Sequence, residues 1–105
     1  PQIDGLGLSA MSERYAIVSL AEARAYLAHS VLGPRLVELT QIMNRHAGRS
    51  ARDILGRPDD LKFRSCMTLF AEAAEDPSPF RQALATFFDG VPDDGTQQLL
   101  AEAAR

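Results

Sequence analysis

Asp59-Asp60-Leu61-Lys62-Phe63-Arg64-Ser65-Cys66-Met67-Thr68-Leu69-Phe70 is the stretch whose reading decides the fold. Wound as a helix, it brings Phe63, Met67, Phe70 and the following Ala74 onto one broad apolar face, with Cys66 and Ala73 at its edge. Such a face is stable only when buried. Asp59 stands where an N-cap is expected, and Asp60 adds negative charge at the positive end of the helix dipole. Lys62 and Ser65 flank the apolar face rather than oppose it, which puts a cation and a hydroxyl where they can line a cleft. The helix is expected to reach Glu75.

Working towards the N-terminus, Pro58 separates this helix from a short turn that opens at Ser50-Ala-Arg-Asp53 and closes at Gly56. Before it, a helix is predicted from about Ser30 to about His46, ended by Gly48. Pro34 is tolerated there because it falls within the first turns, where backbone N–H groups still lack partners. Leu32, Leu36, Leu39 and Met43 recur at helical spacing as its core stripe, with Arg35, Ile42 and His46 along one side. Ser19-Leu-Ala-Glu22 reads as a capping box opening a helix from Leu20 to about Ala28. Gly5 and Gly7 make Pro1 to Ser9 an irregular loop, after which Ser9 or Ser12 caps a short helix through Tyr15.

Towards the C-terminus, Asp76-Pro-Ser-Pro79 is a break followed by a fresh start, with Ser78 as cap and Pro79 as the first helical residue. Phe80, Leu84, Phe87 and Phe88 form the apolar face of the new helix, and Asp89-Gly90 stops it. Thr96 is expected to cap a last helix through Ala104 that buries Leu99 and Leu100. No run alternates in the manner of a half-buried strand. The chain is therefore all-α: residues 1–105 as a single small domain of about five to six short helices in an irregular or orthogonal bundle, since a regular four-helix bundle needs longer antiparallel helices.

Composition agrees and narrows the function. Hydrophobic residues make up 46% of the 105 residues and charged residues 24%, enough apolar content for one core and unlike a disordered chain. A net charge of −3 supplies no basic excess for a phosphate backbone, so no nucleic acid partner is expected. Nothing approaches the ~20 apolar residues that cross a bilayer, so no membrane partner is expected either. One cysteine, Cys66, cannot form an internal disulfide and suits a reducing, cytoplasmic location; on an apolar face it reads as a small buried hydrophobe. His29 and His46 have no second ligand at a metal-binding spacing, and no cofactor is expected.

Several separated segments resemble one family. Pro1-Gln2, Gly5-Leu6-Gly7, Tyr15-Ala-Ile17, Glu22-Ala-Arg-Ala-Tyr26-Leu, His29, Leu32-Gly-Pro-Arg35-Leu36 and the Asp59 to Phe70 run are similar, in order, to the bacterial family filed as domain of unknown function eighteen-ten. Ser30 departs from the proline that usually follows the histidine, and Cys66 replaces a second serine, which puts in doubt any role built on a serine pair. The resemblance implies an all-α cytoplasmic protein and no known activity. Family members carry a further N-terminal helical region, so it also implies a truncated chain, with part of any cleft lying elsewhere. Some relatives are labelled calpastatin-like, but inhibitors of that type are disordered repeats without this apolar periodicity.

Three sets of side chains are candidates for chemistry. Glu22, Tyr26 and His29, spaced four and three apart, share a helix face where a carboxylate can orient an imidazole as a general base; the same residues read equally as a cap, a half-buried ring and a helix-end histidine. Arg35 offers a forked guanidinium for carboxylate or phosphate, or snorkels with its head in water. Lys62, Ser65 and Thr68 make either a small anion site at a helix start or a solvated face. The leading expectation is a binding or interaction domain, taking a small anionic ligand through Arg35, Lys62, Ser65 and Tyr26, or else a protein partner. The alternative is an enzyme for a small anionic or nucleotide-like substrate, with Glu22 and His29 as acid and base. An oligomerisation module is a third.

Overall fold

The computed structural model describes residues 20–103. The expected N-terminal loop, the short helix through Tyr15, the Ser19 half of the capping box and the end at Ala104 lie outside the described residues. Within them the chain is helical, with no strand: α1 over residues 20–28, α2 Leu32–Asn44, α3 Ala51–Leu55, α4 Asp59–Ala73, α5 Ser78–Phe88 and α6 Asp94–Ala103. α5 packs against α4 and α2, while α4 also meets α3 and α6.

The helix ends follow local chemistry, and three differ from expectation. Ser50 caps α3 as predicted, its hydroxyl accepting from the Asp53 N–H at 3.0 Å. At α4, Asp59 is the first helical residue and makes no cap bond; the Pro58 carbonyl accepts the Leu61 and Lys62 N–H groups instead. At α5 the N-cap position is Pro77, and the start is held instead by Asp76 just before it, whose carboxylate accepts from both the N–H and the hydroxyl of Ser78, at 3.1 and 2.6 Å. At α6 the cap is Asp93, which accepts from the N–H and hydroxyl of Thr96 at 2.9 and 2.8 Å. The last two corrections share a cause. Where a carboxylate and a hydroxyl compete for one helix start, the charged acceptor takes the backbone N–H and the hydroxyl donates into it. Asp89, at φ 55°, and Gly90, at φ 77°, end α5 as expected, with the Gly90 N–H reaching back to the Leu84 carbonyl at 2.9 Å.

The core gathers around α4 and α5. Met67, Leu69, Phe70, Phe80, Ala83 and Leu84 are buried and join Ala23 of α1. Phe70 stacks at 5.7 Å on Phe80 and at 5.9 Å on Tyr26, and Phe63 sits at 6.1 Å from both Phe87 and Phe88. Such tilted and edge contacts suit the aromatic quadrupole. The apolar face read from the sequence of α4 is thus correct, but burial extends beyond it to Ser65 and Thr68. Thr68 can be buried because its hydroxyl donates to the Arg64 carbonyl at 2.8 Å and accepts from the Asp93 N–H at 2.9 Å. One turn earlier, Arg64 Nε donates to the Val91 carbonyl at 2.9 Å, with its guanidinium 5.4 Å above the Phe88 ring. These two residues fasten the α5–α6 connection onto α4.

One member of the expected core stripe of α2 departs from it. Leu39 is 57% exposed, whereas Leu36 packs against the core, Leu32 and Met43 are half-buried, and Gly33, Thr40 and Asn44 are buried beside them. The reason is backbone proximity. A Cβ at Gly33 would collide with the Leu27 carbonyl, so α1 and α2 approach through bare backbone at that point. Thr40 folds its hydroxyl back to the Leu36 carbonyl at 2.9 Å, and Asn44 donates to the Pro79 carbonyl at 3.2 Å, holding α2 to the start of α5.

Candidate functional site

The residues proposed from sequence do not meet in either of the two clefts that stand out. His29 is committed to structure: its Nδ1 accepts the N–H groups of Val31 and Leu32, each at 3.1 Å, and the Gly33 N–H bonds its carbonyl at 3.1 Å. That is an N-cap, with an imidazole nitrogen in the usual place of a serine or aspartate oxygen. Tyr26 rests on Phe70, and Glu22 and Arg35 are exposed. Lys62 stands 4.0 Å from Asp59 with both side chains more than half exposed, an arrangement that contributes little. Ser65 is buried, and Thr68 serves the loop contact described above.

A different set of residues forms the larger cleft. It opens between α1, α2, the end of α4 and the start of α5, with a volume of about 580 Å³, within the range of small-molecule sites. Its wall is apolar, made by Leu27, Ala28, Val37, Ala73, Ala74 and Phe80. Three charged side chains, Arg24, Glu75 and Asp76, line it as well. Among the described residues none of the three is in an ion pair, the two pairs formed there being Arg57 with Asp60 and Lys62 with Asp59. The two hydrogen bonds from Ser78 fix the Asp76 carboxyl and hold it below the usual carboxylate range, so that it stays ionised and oriented.

The model of a family described as "Protein of unknown function (DUF1810)" matches residues 1–100. The chain belongs to that family. Among solved structures, this DUF1810 chain is similar to the 1.38 Å crystal structure of the conserved hypothetical protein Rv1873 from Mycobacterium tuberculosis. The two share 50% identity and a TM-score of 0.80 over 96% of this chain and 72% of that one. No curated protein matches the chain.

Two further features of the DUF1810 chain bear on chemistry. A second cleft of about 350 Å³ lies between α4, α5 and α6, with Glu72, Arg81 and Gln97 on its polar side and Leu84 and Leu100 on its apolar side. Cys66 is half buried, and burial pushes its thiol above the ordinary value, which makes the nucleophilic thiolate scarce. Among the described residues no three His, Cys, Asp or Glu side chains gather as a metal site would require, and no helix is long and apolar enough to cross a membrane.

Sequence reading missed the larger cleft for a physical reason. Arg24 carries no motif, and Glu75 and Asp76 read only as the end of a helix and a break. The one local signal was Asp76-Pro-Ser78, a pattern in which a carboxylate can fold back on the N–H two residues on. Nothing in spacing could join it to Arg24, because that meeting depends on how α1 lies across α4.

Proposed function

We propose that this DUF1810 chain is a small-ligand-binding domain whose site is the α1/α2/α4/α5 cleft, with Arg24 as the contact for an anionic group. One observation carries the reading. An apolar cavity of about 580 Å³ is lined by a cation and two carboxylates that do not pair with one another. A few charged groups at the rim of an apolar cleft are the usual composition of a site that orients a small molecule. The anion expected from sequence is retained, and its receptor moves from Arg35 and Lys62 to Arg24. The committed Nδ1 of His29 argues against acid–base chemistry by the Glu22, Tyr26 and His29 face. The unpaired Cys66 fits a reducing compartment, and we place the protein in the cytoplasm.

A thermal-shift screen of the chain against carboxylates, amino acids, sugar phosphates and nucleotides tests the site, since a ligand that binds only the folded state raises its stability. The expected hit disappears in Arg24→Ala and survives in Arg35→Ala and Lys62→Ala. A hit with the opposite pattern moves the site to α2 and the start of α4, where the sequence first suggested it. The absence of any hit favours a protein partner instead.

A further inference from the structure

We infer that the ligand of this cleft is a zwitterion with an aliphatic body, of amino-acid to dipeptide size, its carboxylate on Arg24 and its ammonium on Asp76 and Glu75. This rests on the cleft reading above and goes beyond it by naming the chemical class.

The cleft keeps opposite charges apart. Arg24 comes from α1, whereas Glu75 and Asp76 come from the α4–α5 connection, and all three line the same cavity without reaching the 4.0 Å of an ion pair. A ligand of one charge would satisfy one side and leave the other facing it with like charge. A ligand bearing both charges satisfies each. Its carboxylate matches the planar fork of the guanidinium, which binds carboxylates with two parallel hydrogen bonds.

The acidic side is better prepared for a cation than two loose carboxylates would be. Asp76 is held by Ser78 through one oxygen, Oδ1, at 3.1 Å from the N–H and 2.6 Å from the hydroxyl. No hydrogen bond to Oδ2 is formed among the described residues, so that oxygen can accept from an ammonium without disturbing the bonds to Ser78. Ala73, the last residue of α4, and Ala74, its C-cap, lie in the same wall. The negative end of the α4 dipole therefore lies beside Glu75, whereas Asp76 also meets the positive end of α5 through its bonds to Ser78.

The body of the ligand follows from the remaining surface. Leu27 and Val37 present aliphatic carbon over the buried Phe80, and among the described residues no hydroxyl or amide side chain lines the cleft. An aliphatic group gains from burial against that wall, whereas the hydroxyl groups of a sugar or the ring amides of a base would meet carbon there.

The test separates this inference from the cleft reading by subtracting one charge at a time. Leucine, the dipeptide Leu-Leu, 4-methylpentanoate and 3-methylbutylamine are titrated into the chain, following amide shifts by NMR. Expected is saturable binding of leucine or Leu-Leu, with shifts centred on residues 24 and 73–76, and binding of the two single-charge compounds weaker by about tenfold or more. Asp76→Asn keeps an oxygen to hold the start of α5 but removes the charge, and is expected to weaken the zwitterion about tenfold while strengthening 4-methylpentanoate, whose carboxylate no longer faces a like charge there. Equal binding of 4-methylpentanoate and leucine, both lost in Arg24→Ala, would overturn the zwitterion and leave the cleft as an anion site. Saturation of none of the four compounds up to about 10 mM would overturn the zwitterion too. The cleft itself would then be judged by the broader screen.

Discussion

α4 and α2 carry similar apolar spacing in sequence and end in different environments. α4 is enclosed: Met67 is 1% exposed, and even Ser65 and Thr68 are buried. α2 is an outer helix on which Leu39 faces water at 57% exposure while Thr40, at 2%, faces in. Apolar periodicity locates the inward side of a helix when neighbours surround it. For a helix held on one side, a close backbone approach and one or two hydrogen bonds can leave a member of its apolar stripe facing water.

The largest expected effect lies at the enclosed helix. Met67→Ala should cost about 4 kcal/mol in chemical denaturation, because the site is walled on all sides and cannot collapse onto the cavity. Gly33→Ala should cost about 3 kcal/mol although it adds a single methyl group to a helix, because the obstacle is the Leu27 carbonyl rather than a movable side chain. A loss under about 1 kcal/mol there would mean that α1 and α2 are not locked by that contact. Thr68→Val should cost about 2 kcal/mol by leaving the Asp93 N–H without its acceptor.

Smaller effects probe the outer helix. His29→Ala should lose about 1 kcal/mol and His29→Asn should recover most of it, since asparagine offers an oxygen to the same N–H groups. A catalytic role would leave stability indifferent to this pair of changes. Leu39→Ser should alter stability by no more than about 0.5 kcal/mol, measured by the same unfolding transition. A drop of several times that amount would show that the apolar edge of α2 is covered, and the contrast between the two helices would fall.

The helices of the described residues, the Phe63, Met67 and Phe70 face, the turn opening at Ser50 and the Asp89-Gly90 stop were legible because each depends on residues within a turn or two of one another. The starts of α5 and α6 were assigned to Ser78 and Thr96 where Asp76 and Asp93 hold them. Both kinds of residue cap helices, and the choice depended on which oxygen reached the free N–H. The candidate site was less legible than the fold. Glu22, Tyr26, His29, Arg35, Lys62 and Ser65 were chosen for chemical type and spacing, and neither property records what lies across a cleft.

By itself, then, the sequence determined the helical class, the succession of starts and stops, and the absence of a strongly basic surface, all of which follow from local propensity and composition. Tertiary structure alone decided which residues of α2 are buried and that Arg24 shares a cavity with Glu75 and Asp76. Those outcomes depend on contacts between residues far apart in the chain. The contact at Gly33 that sets α2 against α1 is a backbone approach no side-chain pattern encodes.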